Sequence, residues 1–326
     1  MTTTPTIASA RVSRSQRALQ VAPRLTYAIA PPNQTTAVAR RKEIAAEQSA
    51  RIASLPIDAL LVYDVQDEAT RNRSARPFAF MPKVDPLQYA FEELQVGSVP
   101  RIIYRAVAGE DETSLRSWLE KLQRNGGSAV LVGAPCRQVV TSLSVPQACT
   151  LSRRHAPGLY FGGVLIPERH ESSGTEDARV WAKMQLGCRF FVSQTVWSIA
   201  ATKRLLADLR VRCELEGGEP PPVLLTFSPC GSRQTLEFLE WLGVAVPNPI
   251  KRELLGASDM LTRSVELAVE AFAEIRDCAL EQGITVGCNV ESVTARAPEV
   301  DASIELLGRV DRLEVRPPSD AMRTIA

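Results

Sequence analysis

The chain has 326 residues, of which 45% are hydrophobic, and its 38 Lys and Arg residues balance 37 Asp and Glu residues to a formal net charge of +1. Such a balance produces no field that would attract nucleic acid or an anionic membrane, so we expect neither as a partner. No run of 18 apolar residues occurs, and we expect no membrane span. Seven cysteines without a C-x-x-C pair predict reduced thiols in a cytoplasmic protein, and two histidines are too few for a His-built metal site.

The two ends of the chain differ in composition from its centre. Residues 1–24 contain four arginines and no acidic residue. We interpret them as a disordered basic tail, with an organellar targeting peptide as the alternative. Residues 25–315 carry a regular pattern and are predicted to form one domain, while residues 316–326 are predicted to fray through Pro317 and Pro318.

The first half of the chain alternates short apolar runs with segments of helical periodicity. Strands are predicted at residues 25–30, 57–63, 101–106 and 129–132, and helices at 34–53, 86–94, 112–124 and within 139–154. A polar segment at residues 69–85 separates the second strand from the next helix. Loops of this length inside a domain are usually functional or disordered.

The second half continues the same alternation. Strands are predicted at residues 159–166, in an apolar run ending at Gln194, and at 223–227 and 284–290. A polar turn at 167–170 precedes a segment with helical spacing, and further helices are predicted at 198–216, 234–242, 257–281 and 300–310. Eight strand–helix units predict an α/β fold of the single (β/α)8 (TIM) barrel type. A doubly wound open sheet is the alternative, but its first turn is usually Gly-rich, whereas here it is Pro31-Pro32-Asn33.

In a barrel of this kind, functional side chains follow the carboxyl ends of the strands. The substrate-binding candidates obtained with this rule, together with one lysine from the long loop, are Gln194, Glu168, Tyr27, Asn289 and Lys83. Gln194 ends an apolar strand, where a buried amide needs hydrogen-bond partners. Its donor and acceptor suit the edge of an amide-bearing ring, and a bond to a neighbouring loop is the alternative. Glu168 either binds substrate or caps the following helix.

Two acids and two basic side chains complete the set of candidates. Glu291 ends strand eight and Asp64 follows strand two, and each either contacts a ligand or forms a salt bridge with a loop arginine. His170 either contacts a cofactor or lies solvated on its loop. Lys183 lies on the helix after strand five, where a surface position is the ordinary expectation.

Several motifs occur together in an order that is typical of one family. Pro167-Glu168-x-His170, a helix carrying Lys183, and the strand pattern G-x-x-F-x-x-[ST]-Q ending at Gln194 resemble the second half of the methylenetetrahydrofolate reductase barrel. Residues 27–32 are similar to that family's first strand, F-E-F-F-P-P. Residues 222–229 and 243–247 are similar to its seventh strand and to a later G-[IV]-x-[IV]-P turn. The resemblance spans roughly residues 25–295, on the order and spacing of its motifs.

The resemblance implies a barrel that holds FAD, takes hydride from NAD(P)H, and reduces 5,10-methylenetetrahydrofolate to 5-methyltetrahydrofolate. It implies that Gln194 helps to hold the folate ring and that His170 and Lys183 bind the cofactor, with Lys183 facing the flavin phosphates. A small folate would then be the partner, with assembly into a homo-oligomer left open.

Two departures from the family pattern bear on the chemistry. The glutamate that opens the methylene bridge falls on Ala28, and the strand-four L-R-G-D reads L-V-G-A at residues 131–134, without the arginine and aspartate beside the flavin. FAD is therefore expected from the family but disfavoured by these residues. A methyl side chain cannot act as a general acid. We expect Glu291 to replace the missing acid, because strands eight and one are neighbours in a closed barrel, with Asp64 and Glu168 as alternatives.

The predicted function is methylenetetrahydrofolate reductase-like reduction of a folate by NAD(P)H in one-carbon metabolism. Two alternatives stay open. The first is that the chain is a folate-dependent methyl transferase. The second is that it is a catalytically inactive subunit that binds folate or a partner.

Overall fold

The computed structural model describes residues 23–68, 74–134 and 141–315, so the predicted tail at 1–24, apart from its last two residues, and the predicted frayed end at 316–326 lie outside the described residues. Eight parallel strands form a closed barrel in sequential order. They are β1 (Leu25–Ile29), β2 (Ala59–Val62), β3 (Arg101–Ala106), β4 (Ser128–Val132), β5 (Phe161–Leu165), β6 (Phe191–Thr195), β7 (Val223–Phe227) and β8 (Val286–Glu291). This arrangement confirms the predicted single (β/α)8 barrel.

Helices alternate with these strands along the described chain. They are α1 (Val38–Ala53), α2 (Pro86–Gln88), α3 (Glu112–Arg124), α4 (Val145–His155), α5 (Pro167–Ser173), α6 (Glu176–Gln185), α7 (Ile199–Leu215), α8 (Arg233–Trp241), α9 (Asn248–Gly256), α10 (Met260–Glu281) and α11 (Ala297–Val315). A π-helical turn, Tyr89–Glu93, extends α2. None of the helices in the described ranges is long and apolar enough to cross a membrane.

Polar caps explain where many of these helices begin. The side chains that accept a hydrogen bond from a backbone N–H three residues later are Asp85, Asp111, Ser144, Ser198, Ser232 and Asp259. Each satisfies an amide that the first helical turn leaves unpaired. The predicted polar turn at residues 167–170 is wrong, because Pro167 starts α5, and proline suits the first turn of a helix. Helix α9 was not predicted, for the same reason: Pro249 lies in its first turn.

The alternation of side chains along each strand divides the core into two layers. Inside the barrel, Ala28, Leu61 and Tyr104 pack with inward side chains from the other strands. Outside it, Tyr27 and its outward-facing equivalents pack against the helices. Both layers are apolar, as expected for parallel strands that are covered on both faces.

Candidate functional site

A cavity of about 1030 Å³ opens at the carboxyl ends of the strands. Every strand end contributes to its wall, as the carboxyl face of a barrel predicts. The lining includes Ala28, Tyr63, Asp64, Tyr104, Val132, Gly133, Val164, Ile166, Lys183, Gln194, Thr195, Thr226 and Glu291, with Arg76 from the long loop and Phe238, Leu242 and Val244 from the segment after β7.

Glu291 lies on the floor of this cavity, beside the position where the resembled family has its acid. In the β1–β8 pairing, Ala28 is the direct neighbour of Glu291. The Thr195 hydroxyl donates a hydrogen bond to Glu291 Oε1 at 2.8 Å. Tyr63 forms a second side-chain hydrogen bond with the same carboxyl. A carboxyl on β8 thus lies next to a methyl group on β1 and is oriented by two hydroxyl groups.

Asn289 lies one inward position below Glu291 and is fully buried. Its Nδ2 donates to the Tyr63 hydroxyl at 3.0 Å and to Thr226 Oγ1 at 3.1 Å, and its Oδ1 accepts from Thr26 Oγ1 at 2.9 Å. These bonds occupy both donors of the amide and one lone pair of its oxygen. Asn289 therefore supports the cavity floor by positioning Tyr63, and it is not among the residues that line the cavity.

Burial dominates the electrostatics of this cluster. It raises the pKa of Glu291, against the opposing effect of the hydrogen bonds from Tyr63 and Thr195. Burial, and then the charge of Glu291, also hold the pKa values of Tyr63 and Tyr104 well above the ordinary value for tyrosine. A carboxyl with a raised pKa retains its proton to higher pH, which is the requirement for a general acid.

Asp64 lines the cavity at the end of β2, on the other side of β1 from Glu291. Its Oδ2 accepts a hydrogen bond from the Ala106 backbone N–H at 2.8 Å. Burial raises its pKa, while this bond and the nearby Arg105 charge lower it. Asp64 therefore joins the ends of β2 and β3, with part of its carboxylate already engaged.

Gln194 projects into the cavity from β6, at an irregularity of the β6–β7 pairing between Val192 and Thr195. Its Nε2 donates to the Leu242 carbonyl at 3.3 Å. Only the nitrogen of an amide can donate to a carbonyl, so this bond fixes the orientation of the side chain. Its Oε1 is then buried without a hydrogen-bond partner among the described residues. The amide thus has both the loop contact expected as one alternative and an acceptor that is not used within the chain.

Lys183 reaches the cavity from α6 instead of lying on the helix surface. Its Nζ donates to the Val164 carbonyl at 2.6 Å and lies 5.9 Å from the centre of the Phe191 ring. Burial lowers the pKa of this ammonium group. The side chain therefore serves the end of β5, although it also borders the cavity.

Five of the predicted residues do not line the cavity, and three of them are Tyr27, Lys83 and Asn289. Tyr27 faces outward, and its hydroxyl lies 3.2 Å from Ser303 Oγ on α11. Lys83 lies nearby on the long loop and donates to Asn33 Oδ1 at 2.7 Å. The expected direct contact of Tyr27 with a ligand is wrong, because inward and outward positions alternate along β1 and Ala28 takes the inward one. The third such residue, Asn289, is the floor support described above.

Two further candidates, Glu168 and His170, are also absent from the lining because Pro167 starts a helix there. His170 is buried, with Nε2 2.8 Å from Asp208 Oδ2 on α7 and Nδ1 3.6 Å from Asp177 Oδ1 on α6. His170 thus connects three helices. The two alternatives expected for it, contact with a cofactor and a solvated position on its loop, are both wrong. Both carboxylate oxygens of Glu168 are buried without a hydrogen-bond partner in the described chain, and burial raises its pKa to about 7.

Among solved structures, an uncharacterized protein from Clostridium thermocellum is 32% identical to this chain. The match covers 91% of this chain and 99% of that protein, and the two superimpose with a TM-score of 0.79. This chain belongs to the same family. That relative binds two copies of 5-methyl-5,6,7,8-tetrahydrofolic acid. No protein-family model matches the chain, that of the resembled reductases included, and no curated protein matches it.

Two other solved structures are less similar to this chain. A dihydropteroate synthase from Xanthomonas albilineans is 16% identical, with 90% of this chain and 94% of its own covered and a TM-score of 0.44. A 2,3-dimethylmalate lyase of the PEP mutase/isocitrate lyase superfamily is 14% identical, with 94% and 89% covered and a TM-score of 0.44.

The cavity of this family member does not fit FAD as the resembled reductases hold it. Val132 and Ala134 line the wall where an arginine and an aspartate would contact the flavin. The Lys183 ammonium group, expected at the flavin phosphates, is bonded to the β5 backbone. Arg169, the next cation on that side, is paired with the buried carboxylate of Glu176 at 3.1 Å. We derive no flavin step for this site.

Two cavity residues, Arg76 and Thr195, were not among the site residues selected from the sequence. Thr195 bonds to Glu291, and the apolar residues around it in β6 obscured it in the sequence. Arg76 lies in the long polar loop, where the stretch R-P-F-A-F combines a cation with two aromatic residues. That combination is the signal that could have selected it.

Proposed function

We propose that this chain binds a reduced folate of the tetrahydrofolate class in the cavity at the carboxyl ends of its strands. The relative that binds 5-methyltetrahydrofolic acid matches this chain over 91% of its length, at an identity that supports a shared ligand class. The cavity volume of about 1030 Å³ is at the upper end of the usual range for a small-molecule site. Both observations favour a ligand of folate size.

Gln194 is the residue that we propose to hold the pterin ring. Its Oε1 is a buried acceptor without a partner in the described residues, and such an atom costs free energy until a donor reaches it. The edge of a pterin offers amide and amino N–H groups. The bond from Nε2 to the Leu242 carbonyl keeps the side chain in place before the ligand arrives.

The reaction that we propose is the reduction of 5,10-methylenetetrahydrofolate to 5-methyltetrahydrofolate. Glu291 donates its proton to N10, the bond between N10 and the bridging carbon breaks, and an iminium forms between that carbon and N5. NAD(P)H, as the second substrate, would supply the hydride, and with it both electrons, that reduces the iminium carbon to a methyl group. Atoms and charge balance with one proton and one hydride consumed.

The environment of Glu291 is the observation that carries this assignment. The carboxyl borders the cavity, adjoins Ala28, and has a pKa raised by burial. Asp64 is the weaker candidate because its carboxylate accepts the Ala106 N–H. Glu168 is outside the lining of the cavity.

Folate-dependent methyl transfer and folate binding without turnover are the two alternatives. The relative binds the methylated form, which is the product of the reduction and the donor in a methyl transfer. A methyl transferase would consume 5-methyltetrahydrofolate when a suitable acceptor is present and would not oxidise NAD(P)H. A binding protein would do neither.

The test combines calorimetric titration with an assay of NAD(P)H oxidation. The wild-type protein is expected to bind 5-methyltetrahydrofolate and to oxidise NADH or NADPH when 5,10-methylenetetrahydrofolate is present. Glu291→Gln, which keeps the size of the side chain, is expected to lower turnover by about 10²–10⁴-fold with little change in folate affinity. Turnover of the wild type should fall as pH rises through the raised pKa of Glu291, because the ionised form has no proton to donate.

Asp64→Asn serves as the matched control, since it also neutralises a buried acid of the cavity wall. Retained turnover in Glu291→Gln together with loss in Asp64→Asn would transfer the acid role to Asp64. Folate binding without NAD(P)H oxidation in the wild type would contradict the reduction and leave the binding proposal intact.

A further inference from the structure

Arg76 is held in the cavity wall by three aromatic side chains, which we call the Arg76 cage. Its guanidinium carbon lies 5.2 Å from the centre of the Phe80 ring, 5.3 Å from that of Phe238 and 5.0 Å from that of Trp241. Phe238 and Trp241 stack on each other with centres 6.2 Å apart. Such contacts attract a cation and fix the plane of its guanidinium group.

The cage is attached firmly to α8. The Trp241 indole N–H donates to the Ser74 carbonyl at 3.0 Å, and Gln234 Nε2 donates to the Pro77 carbonyl at 3.1 Å. These two bonds join the segment before and after Arg76 to the helix. The position of the guanidinium group is therefore set by the fold.

The hydrogen-bonding capacity of Arg76 is largely unused. Its Nε and Nη1 are buried without a partner, and no carboxylate oxygen lies within 4.0 Å of it in the part of the chain that the structure describes. Lys83 is close enough for the two cations to repel each other. The charges of Asp67 and Glu68 act on Arg76 more weakly than its own desolvation. Buried donor groups without a partner are costly, so an anion that accepts from them would be stabilising.

Arg105 shows how the same chain completes such an arrangement when no ligand is involved. Its guanidinium carbon lies 5.4 Å from the centre of the Trp118 ring, as in the Arg76 cage. Unlike Arg76, it forms ion pairs with Asp85 at 3.0 Å and Glu110 at 2.6 Å. Arg76 has the aromatic contacts and, among the described residues, lacks the carboxylates.

We propose that Arg76 binds a carboxylate of the glutamate tail of the folate, an inference that rests on the proposed function. One structural element connects it with the proposed ring site. Gln194 donates to the carbonyl of Leu242, the residue after α8, and Phe238 of the same helix is part of the Arg76 cage. Four helical residues correspond to about 6 Å. A ligand whose ring contacts Gln194 can therefore run along α8 to the cage, where a planar carboxylate suits the guanidinium fork.

The cations on the other side of the cavity are less suited to this role. Arg169 is paired with Glu176, and Lys183 donates to the Val164 carbonyl. Arg179 also lines the cavity but is an exposed side chain, where an ion pair with a ligand is screened by water. Arg76, with two buried donor nitrogens that have no partner in the described residues, suits the role better.

Calorimetric titration with two forms of the same ligand tests the inference. One is 5-methyltetrahydrofolate with a free glutamate tail, and the other has both tail carboxylates converted to amides. Wild-type protein is expected to bind the free acid roughly 10- to 100-fold more tightly, as for a charge-assisted hydrogen bond. Arg76→Met should abolish this preference, and Arg76→Lys should retain part of it, since lysine keeps the charge but not the fork.

Arg101→Met is the matched control. The Arg101 guanidinium carbon also lies over an aromatic ring, 4.9 Å from the centre of Phe91, and its Nε is also buried with no partner in the described ranges. Arg101 begins β3, however, and so lies at the amino end of the barrel. This variant is expected to bind both ligand forms as the wild type does.

The possible outcomes separate this inference from the proposed function. Equal affinity of the wild type for the free acid and the diamide overturns the inference and leaves folate binding intact, and this comparison needs no variant. A preference for the free acid that survives in folded Arg76→Met also overturns it, because the carboxylate is then bound elsewhere. Failure of the wild type to bind either form overturns the proposed function, and the inference with it.

Discussion

Glu168 makes the stability of this protein depend on pH in a direction that can be worked out from the structure. Both of its carboxylate oxygens are buried without a partner in the described residues, and burial raises its pKa from the ordinary 4.5 to about 7. The folded state therefore holds a proton that the unfolded state releases near pH 4.5. Because the folded state binds more protons in this window, its stability falls as pH rises from about 4.5 to about 7.

The magnitude follows from the width of the window. One pH unit corresponds to about 1.36 kcal/mol, so the interval of about 2.5 units from 4.5 to about 7 corresponds to about 3 kcal/mol. Glu168→Gln replaces the carboxyl with a neutral group of the same size. The variant should match the wild type near pH 4.5 and should be more stable at pH 8 by up to about 3 kcal/mol.

Urea unfolding of both proteins at several values between pH 4.5 and 8 measures this difference. Glu171→Gln is the control, because Glu171 lies exposed on the same helix and is the weakest of the influences on the pKa of Glu168. Its stability should follow that of the wild type across the range. A constant difference between Glu168→Gln and the wild type at all pH values would refute the reasoning, since it would mean that Glu168 is ionised in the folded protein at pH 5.

Gln194→Ala should unfold close to the wild-type midpoint and bind 5-methyltetrahydrofolate more weakly by about 1–3 kcal/mol, the cost of losing a buried hydrogen bond. Unchanged affinity in calorimetry would contradict the role proposed for Gln194. Gly162→Ala should destabilise the protein by about 1–3 kcal/mol in chemical unfolding, because a Cβ there would overlap the carbonyl oxygen of Phe190, whereas Gly109→Ala, with open space around it, should cost little. The purified protein should be colourless, because the two family residues that contact flavin on strand four are replaced by valine and alanine. A stoichiometric flavin absorption spectrum after gel filtration would disprove that expectation.

The carboxyl end of each strand was predictable from the sequence, but the direction of each side chain was only partly so. β1 reads Leu-Thr-Tyr-Ala-Ile and is buried on both faces, so its apolar pattern does not distinguish the inward Ala28 from the outward Tyr27. Which residues of this alternating strand face inward was decided only by the closed barrel, because the pairing register fixes the direction of every side chain. Glu291 was selected on the adjacency of strands eight and one, and the β1–β8 register pairs it with Ala28.

Local chemistry misled the prediction around Pro167. Proline after a strand was interpreted as part of a turn, yet its fixed φ angle also suits the first turn of a helix. The choice between the two depends on what the following residues pack against. His170 is held by Asp208, which lies 38 residues later on another helix, and no local pattern contains that contact.

The sequence by itself determined the eight strands, their alternation with helices and hence the barrel, because strand and helix periodicity and capping are properties of neighbouring residues. Only the tertiary structure decided which side chains share the cavity. Arg76 meets Trp241, and Thr195 meets Glu291, across separations along the chain that no periodicity spans. The unpaired oxygen of Gln194 is likewise a property of its surroundings, since the presence or absence of a partner depends on every element packed around it.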